Sequence, residues 1–139
     1  MSLADLNTKE TADNGVEIEI LHPGTNLPVG VAITVLGTDS AAFRAITRKQ
    51  RNRRLESMNR SKGKVTQTDE EQEAEALDIL AACTKSWRTG ENNEIEVTPG
   101  EFLACTPENA KRLYADVGFS WLREQVDREI GDRTNFLKG

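Results

Sequence analysis

Residues 16–37 read VEIEILHPGTNLPVGVAITVLG, and this stretch decides the fold class. Apolar residues alternate with glutamates over residues 16–21, which is the pattern of a strand with one buried face. Residues 31–37 alternate in the same way, and the prolines and glycines of residues 22–30 indicate a loop between the two strands. The stretch therefore predicts an antiparallel β-hairpin. Because a lone hairpin is marginal in water, a helix, another strand or a second copy of the chain must cover its apolar face.

The composition predicts a small core. Hydrophobic residues make up 37% of the 139 residues, whereas globular chains average about 45–50% apolar residues when glycine is included. Residues 1–15 are polar and mostly acidic, so we expect a disordered N-terminal segment, followed by a single domain over residues 16–139. No stretch approaches the roughly 18 apolar residues of a membrane span, and we expect no membrane partner.

Helical patterns follow the hairpin. Residues 38–40 are capping residues, and they precede a long basic helix. Thr68 and Glu71 form a capping box ahead of a second helix, whose apolar stripe we expect to run through Thr84 and Trp87.

Two short helices close the chain. Thr106 caps the first, and its apolar face is expected to include Val117 before Gly118 ends it. The second carries a stripe that repeats every four residues: Leu122, Val126 and Ile130. The sequence thus predicts an α+β fold, in which an N-terminal β-hairpin (residues 16–37) is followed by about four mainly antiparallel helices (residues 38–139).

The charges are strongly segregated although the net charge is −5. Residues 44–64 contain nine basic side chains and one acid, and residues 69–78 contain six acids and no base. One interpretation is that the two blocks are antiparallel helices that attract each other. The other is an arginine-rich helix that grips nucleic-acid phosphates. The sequence favours the first, because the acidic neighbour competes with nucleic acid and no aromatic residue lies among the arginines.

Residues that usually carry catalytic or metal chemistry are scarce. The chain has a single histidine, His22, which precedes a proline in the loop, and its two cysteines, Cys83 and Cys105, are far apart without a CxxC motif. Metal sites and base–nucleophile pairs need more groups than these. We therefore expect a protein that is not an enzyme and needs no metal or cofactor.

Two segments resemble the tail assembly chaperones of long-tailed bacteriophages and prophages. They are EIEILHPGTNLPVGVAITVLGTDSAAFRAI and ENAKRLYADVGFSWLREQVDREIGDRTNFLKG, and together they cover about half of the chain. The carrying features are the strand pair broken by a His-Pro-Gly loop, the LGTDS helix start, and the final FSWLREQV and NFL motifs.

The resemblance implies a non-enzymatic chaperone. Such proteins bind the tape-measure protein, help to recruit tail tube subunits for polymerisation, act in the host cell cytoplasm and leave the finished particle. The chain is then also expected to self-associate, and nucleic acid is not expected as a partner. Aromatic and apolar residues near the C-terminus are the expected partner-binding residues: Phe119, Trp121, Phe136 and Leu137.

Two other functions stay open at this stage. The basic segment suits an arginine-rich nucleic-acid-binding regulator, and a small α+β chain also suits a structural virion component such as a head–tail connector or tail protein. Salt-dependent nucleic-acid binding favours the first, and presence in purified particles favours the second.

Overall fold

A computed structural model describes residues 2–60 and 67–137. Within these ranges the chain forms five strands and five α-helices, and the predicted α+β class is confirmed. The strands are β1 (Val16–Leu21), β2 (Pro28–Val35), β3 (Thr84–Thr89), β4 (Glu94–Thr98) and β5 (Glu101–Ala104). The α-helices are α1 (Lys9–Asn14), α2 (Ala41–Arg60), α3 (Asp69–Ala82), α4 (Pro107–Ala115) and α5 (Ser120–Gly131). Short 3-10 turns lie at Leu3–Leu6, Val117–Phe119 and Arg133–Phe136.

The predicted β-hairpin forms the first two strands of a three-stranded antiparallel sheet. The strand order is β1-β2-β3, so β2 is central and β1 and β3 are the edges. Ile18, Ile33 and Trp87 are aligned across the three strands, and all three are buried. The alternating pattern of β1 and β2 therefore produces one continuous apolar face.

Strand β3 replaces the last turn that the sequence analysis assigned to the second helix. Helix α3 ends at Ala82, so Thr84 and Trp87 lie on a strand. The Thr84 hydroxyl donates to the Leu80 carbonyl at 2.7 Å, and its oxygen lies 2.7 Å from the buried Tyr114 hydroxyl. The helical prediction was wrong because the threonines and tryptophan of this run are also good strand formers, and β2 offered them an edge to pair with.

The first C-terminal helix also ends earlier than predicted. Helix α4 stops at Ala115, and Val117 is 86% exposed instead of packing on the next helix. The Asp116 carboxylate accepts a hydrogen bond from the Gly118 amide at 2.9 Å, which stabilises a 3-10 turn at this point. This competing cap ends α4 before Val117 can join its apolar face.

Helix α5 covers the apolar face of the sheet. It contacts both β1 and β2, and its stripe residues Leu122, Val126 and Ile130 are all buried as predicted. Strands β4 and β5 form a separate two-stranded hairpin. The Trp87 indole N–H donates to the Leu103 carbonyl of this hairpin at 3.0 Å, which ties it to the sheet.

The N-terminal segment, expected to be disordered, carries α1 and packs on the body. Ala12 is fully buried, and the Asp13 carboxylate accepts a hydrogen bond from the Ala41 amide at 2.6 Å. That amide is one of the orphan donors at the start of α2, so α1 supplies a cap to the long helix. The polar composition of residues 1–15 concealed this role because it depends on one small apolar residue and one carboxylate.

The C-terminal turn packs beside α1. Phe136, expected to bind a partner, is 1% exposed, and a Cβ at Gly37 would lie 2.9 Å from its ring. The Arg133 guanidinium pairs with Asp39 at 3.0 Å, and the Thr8 hydroxyl donates to the same carboxylate. We call Thr8, Asp39, Arg133 and Phe136 the terminal latch. Phe136 is therefore a core residue, and its side chain is not available to a partner.

Replacing Phe136 with alanine should destabilise the fold strongly. Burial and the cavity left behind predict a loss of about 3–5 kcal/mol in the free energy of unfolding, measured by urea denaturation. Leu137→Ala is the matched control, because Leu137 is 42% exposed and its truncation should cost far less. Equal losses for the two variants would contradict the assignment of Phe136 to the core.

The latch also predicts a pH dependence. The Arg133 hydrogen bond and then that of Thr8 hold the pKa of Asp39 below its ordinary value of 3.8. Because the folded pKa is the lower one, this carboxylate stabilises the fold above its unfolded pKa, and the effect is lost as pH falls through the folded pKa. Asp39→Asn should thus lower Tm at neutral pH and reduce the drop in Tm from about pH 5 to about pH 2. A parallel pH profile for both proteins would refute the role of this group.

Candidate interaction surfaces

Trp121 is the predicted partner-binding residue that reaches a surface depression. It lies in the first turn of α5 and is half-buried, and its indole N–H donates to the Gly118 carbonyl at 3.1 Å. The polar atom of the side chain is thus satisfied within the chain. The exposed part of the ring is left for apolar contact.

A groove runs between edge strand β1 and helix α5. It consists of two adjoining depressions of about 190 Å³ and 230 Å³ that share Leu21, Gln125 and Arg128. The remaining lining residues of the first are Pro23, Asn26, Trp121 and Glu124, and those of the second are Ile18, Glu19 and Glu129. We call this feature the β1–α5 groove.

Gln125 fixes the geometry of the groove. Its side-chain oxygen accepts from the Leu21 amide at 2.8 Å, and its side-chain nitrogen donates to the Leu21 carbonyl at 2.9 Å. The glutamine therefore pairs with the edge strand as a neighbouring strand would. The adjoining loop is held by His22, whose Nδ1 accepts from the amides of Gly24 and Thr25 at 3.0 and 3.1 Å.

The groove combines apolar anchors with excess negative charge. Leu21, Pro23 and Trp121 supply the apolar surface. Three carboxylates and one guanidinium line the walls, which gives a formal local charge of −2: Glu19, Glu124, Glu129 and Arg128. The arrangement is complementary to an apolar side chain with basic neighbours.

The other predicted residues do not join Trp121 in this groove. Phe119 is half-buried and packs against the hydrophobic core, and Phe136 is buried in the terminal latch. Leu137 is 42% exposed, beside the latch. The structure thus does not bring together the four residues that the sequence analysis expected to bind partners.

Sequence reasoning missed Leu21, Pro23 and Gln125. Within α5 the spacing of Trp121, Gln125 and Arg128 at i, i+4 and i+7 places them on one helix face, and this signal was available. The sequence carries no signal for the contribution of β1, because nothing in it pairs Leu21 with a residue 104 positions away.

The outer surface of α2 is a second candidate. Helices α2 and α3 contact each other as the charge pattern suggested, through the Gln50 side chain on the Glu75 carbonyl at 2.9 Å and the Arg54–Glu75 ion pair at 3.3 Å. Gln50 is the buried residue of α2, and the rest of this helix is half-exposed or exposed. Residues 61–64 of the basic block lie outside the described part of the chain.

Titratable groups in the interior serve packing. Burial raises the pKa of the Cys83 thiol to about 12, and it also raises the pKa of the buried Tyr114 hydroxyl. Within residues 2–60 and 67–137, no three histidine, cysteine or acidic side chains are grouped to hold a metal ion. No helix in the same ranges is long and apolar enough to span a membrane.

Comparisons with known proteins give no relative for this chain. No protein-family model, curated protein or solved structure matches it.

Gln125→Leu should loosen the groove while preserving side-chain size. The Leu21 amide and carbonyl lose their partners, which should cost about 1–3 kcal/mol in the free energy of unfolding and accelerate hydrogen exchange at the Leu21 amide. Glu124→Gln is the matched control, because the neighbouring Glu124 is exposed. Unchanged exchange in the Gln125 variant would show that the side chain does not hold this edge.

Proposed function

We propose that this protein is a non-enzymatic tail assembly chaperone of a long-tailed bacteriophage or prophage. It binds the tape-measure protein in the host cell cytoplasm, promotes tail tube polymerisation together with the tail tube protein, self-associates, and is absent from the mature virion. The binding surface for the tape-measure protein is the β1–α5 groove.

One observation carries this proposal. Two of the segments that carry the family resemblance, the His-Pro-Gly loop and FSWLREQV, are far apart in the sequence but line the same groove. Pro23 and Asn26 come from the loop, and Trp121, Glu124 and Gln125 come from the helix. A binding surface at this groove gives the two segments one common function.

The size and charge of the groove support a protein client. Each depression is smaller than the roughly 300 Å³ at which small-molecule sites begin, and fits a protruding side chain better than a free ligand. A tape-measure protein is long and mostly helical, so its apolar side chains recur on one face. Clients with lysine or arginine beside those side chains complement the carboxylates of the groove.

The test is co-expression with the tape-measure protein of the same tail gene cluster, followed by affinity capture. Trp121→Ala should weaken capture by about 2 kcal/mol or more, because half-buried tryptophans at interface centres are frequent hot spots. Phe102→Ala is the matched control, since Phe102 is an aromatic residue of β5 that is 41% exposed outside the groove.

Three outcomes oppose the proposal. Failure of the wild-type chain to capture the tape-measure protein would contradict its assignment as the client. Equal capture by the Trp121→Ala and Phe102→Ala variants would contradict the assignment of the groove as the binding surface. Detection of the chain in purified particles by mass spectrometry would favour the structural virion component instead.

A further inference from the structure

Helix α2 is exposed around most of its circumference. It contacts the body through one stripe, in which Phe43 and Ile46 are half-buried and Gln50 is buried. From Arg48 to Arg60 all residues except Gln50 and Ser57 are exposed. At 1.5 Å per residue, the 20 residues of this helix form a rod of about 30 Å.

Cations occupy both flanks of this rod. With about 100° between successive residues, Arg48 and Asn52 lie on the crest opposite Gln50. Lys49 and Arg53 lie on one flank, and Arg51 lies on the other. All five side chains are exposed.

The acidic block of α3 leaves these cations unneutralised. Its ion-paired carboxylates are engaged elsewhere: Glu75 with Arg54, Glu73 with Arg123, and Asp78 with Lys111. Across residues 2–60 and 67–137, no acidic side chain forms an ion pair with the crest or flank cations. The competition expected from the acidic neighbour is thus not realised as an ion pair on this face.

The positions of the cations on α2 favour a partner with an anionic groove. A flat acidic protein surface touches one side of a helix, whereas cations on both flanks match a groove with two anionic walls. The major groove of B-DNA is about 12 Å wide and admits an α-helix, with phosphates along both edges. The A-form RNA major groove is too narrow, and no aromatic residue lies between Arg44 and Arg60 to stack on single-stranded bases.

We propose that α2 binds double-stranded DNA by lying in its major groove. Lys49 and Arg53 contact the phosphates of one strand, and Arg51 contacts those of the other. Asn52, on the crest, faces the base edges, where an asparagine can form two hydrogen bonds with adenine. This activity goes beyond the proposed chaperone function and uses no residue of the β1–α5 groove.

Glu56 opposes this interaction. It is the one acid of α2, and it lines the same exposed face as Asn52 and Arg53. The chain as a whole is also negative, at −5. Binding is therefore weak and confined to α2, and it depends on salt: the three phosphate contacts of Lys49, Arg51 and Arg53 give a slope of log K against log salt of about −2.7.

The experiment measures fluorescence anisotropy of a labelled DNA duplex of mixed sequence with the full chain over a series of salt concentrations. Arg51→Ala and Arg53→Ala should each weaken binding and each reduce the salt slope by about 1. Arg112→Ala, which removes an exposed cation from α4, should change neither quantity. Glu56→Gln should tighten binding, a gain that a loss of folding cannot produce.

Several results would overturn the proposal. They are absence of binding to duplex DNA at low salt, equal or tighter binding to an RNA duplex or a single strand, and equal effects of Arg53→Ala and Arg112→Ala. Salt-dependent self-association through Arg51 and Arg53 without DNA binding, seen by sedimentation velocity, would assign the face to a second copy of the chain. Tape-measure capture by the same α2 variants reports separately on the chaperone proposal.

Discussion

The apolar face of a three-stranded sheet is the constraint on which this structure depends. Ile20, Ile33 and Val35 are fully buried on that face, and the chain has little other apolar material with which to cover them. Helix α5 provides the cover through Val126 and Ile130. Because each large apolar side chain contributes roughly 1.5–3 kcal/mol when buried, the burial of these five residues is a main source of stability for so small a core.

The small amount of apolar surface also determines how the remaining elements are attached. Helix α2 buries Phe43 and Ile46 only in part, and beyond them it attaches through a buried glutamine and an ion pair and stays mostly exposed. The chain termini, which are polar in composition, each contribute one buried side chain, Ala12 and Phe136, beside Gly37. A polar chain of this kind holds its edges with hydrogen bonds, as Gln125 does for β1.

Sequence patterns over a few neighbouring residues, such as helix caps and period-two alternation, predicted the elements that such patterns determine. The Thr68 cap accepts from the Glu71 amide at 3.1 Å, and period-two alternation identified β1 and β2. Trp87 was misplaced because its spacing fits both a helix and a strand, and the choice depended on pairing with β2. Phe136 was misplaced because the space it fills is made by Gly37 and α1, about a hundred residues earlier. Of the candidate groove, sequence reasoning found Trp121, whereas the hydrogen bonds of Gln125 depend on an edge strand that is distant in the sequence.

The two candidate surfaces share one support. Helix α5 carries Trp121 in its first turn and Gln125 at its middle, and it is followed by the turn that carries Arg133 and Phe136. That turn holds Asp39, at the base of α2, while Asp13 caps the first amide of the same helix. The direction in which α2 projects is thus set by contacts at its N-terminal end together with those of Gln50 and Arg54 on α3, whereas α5 forms one wall of the groove. Since interiors are packed too closely to deform continuously, the two hydrogen bonds of Gln125 to Leu21 and the terminal latch both help to fix the orientation of one surface relative to the other.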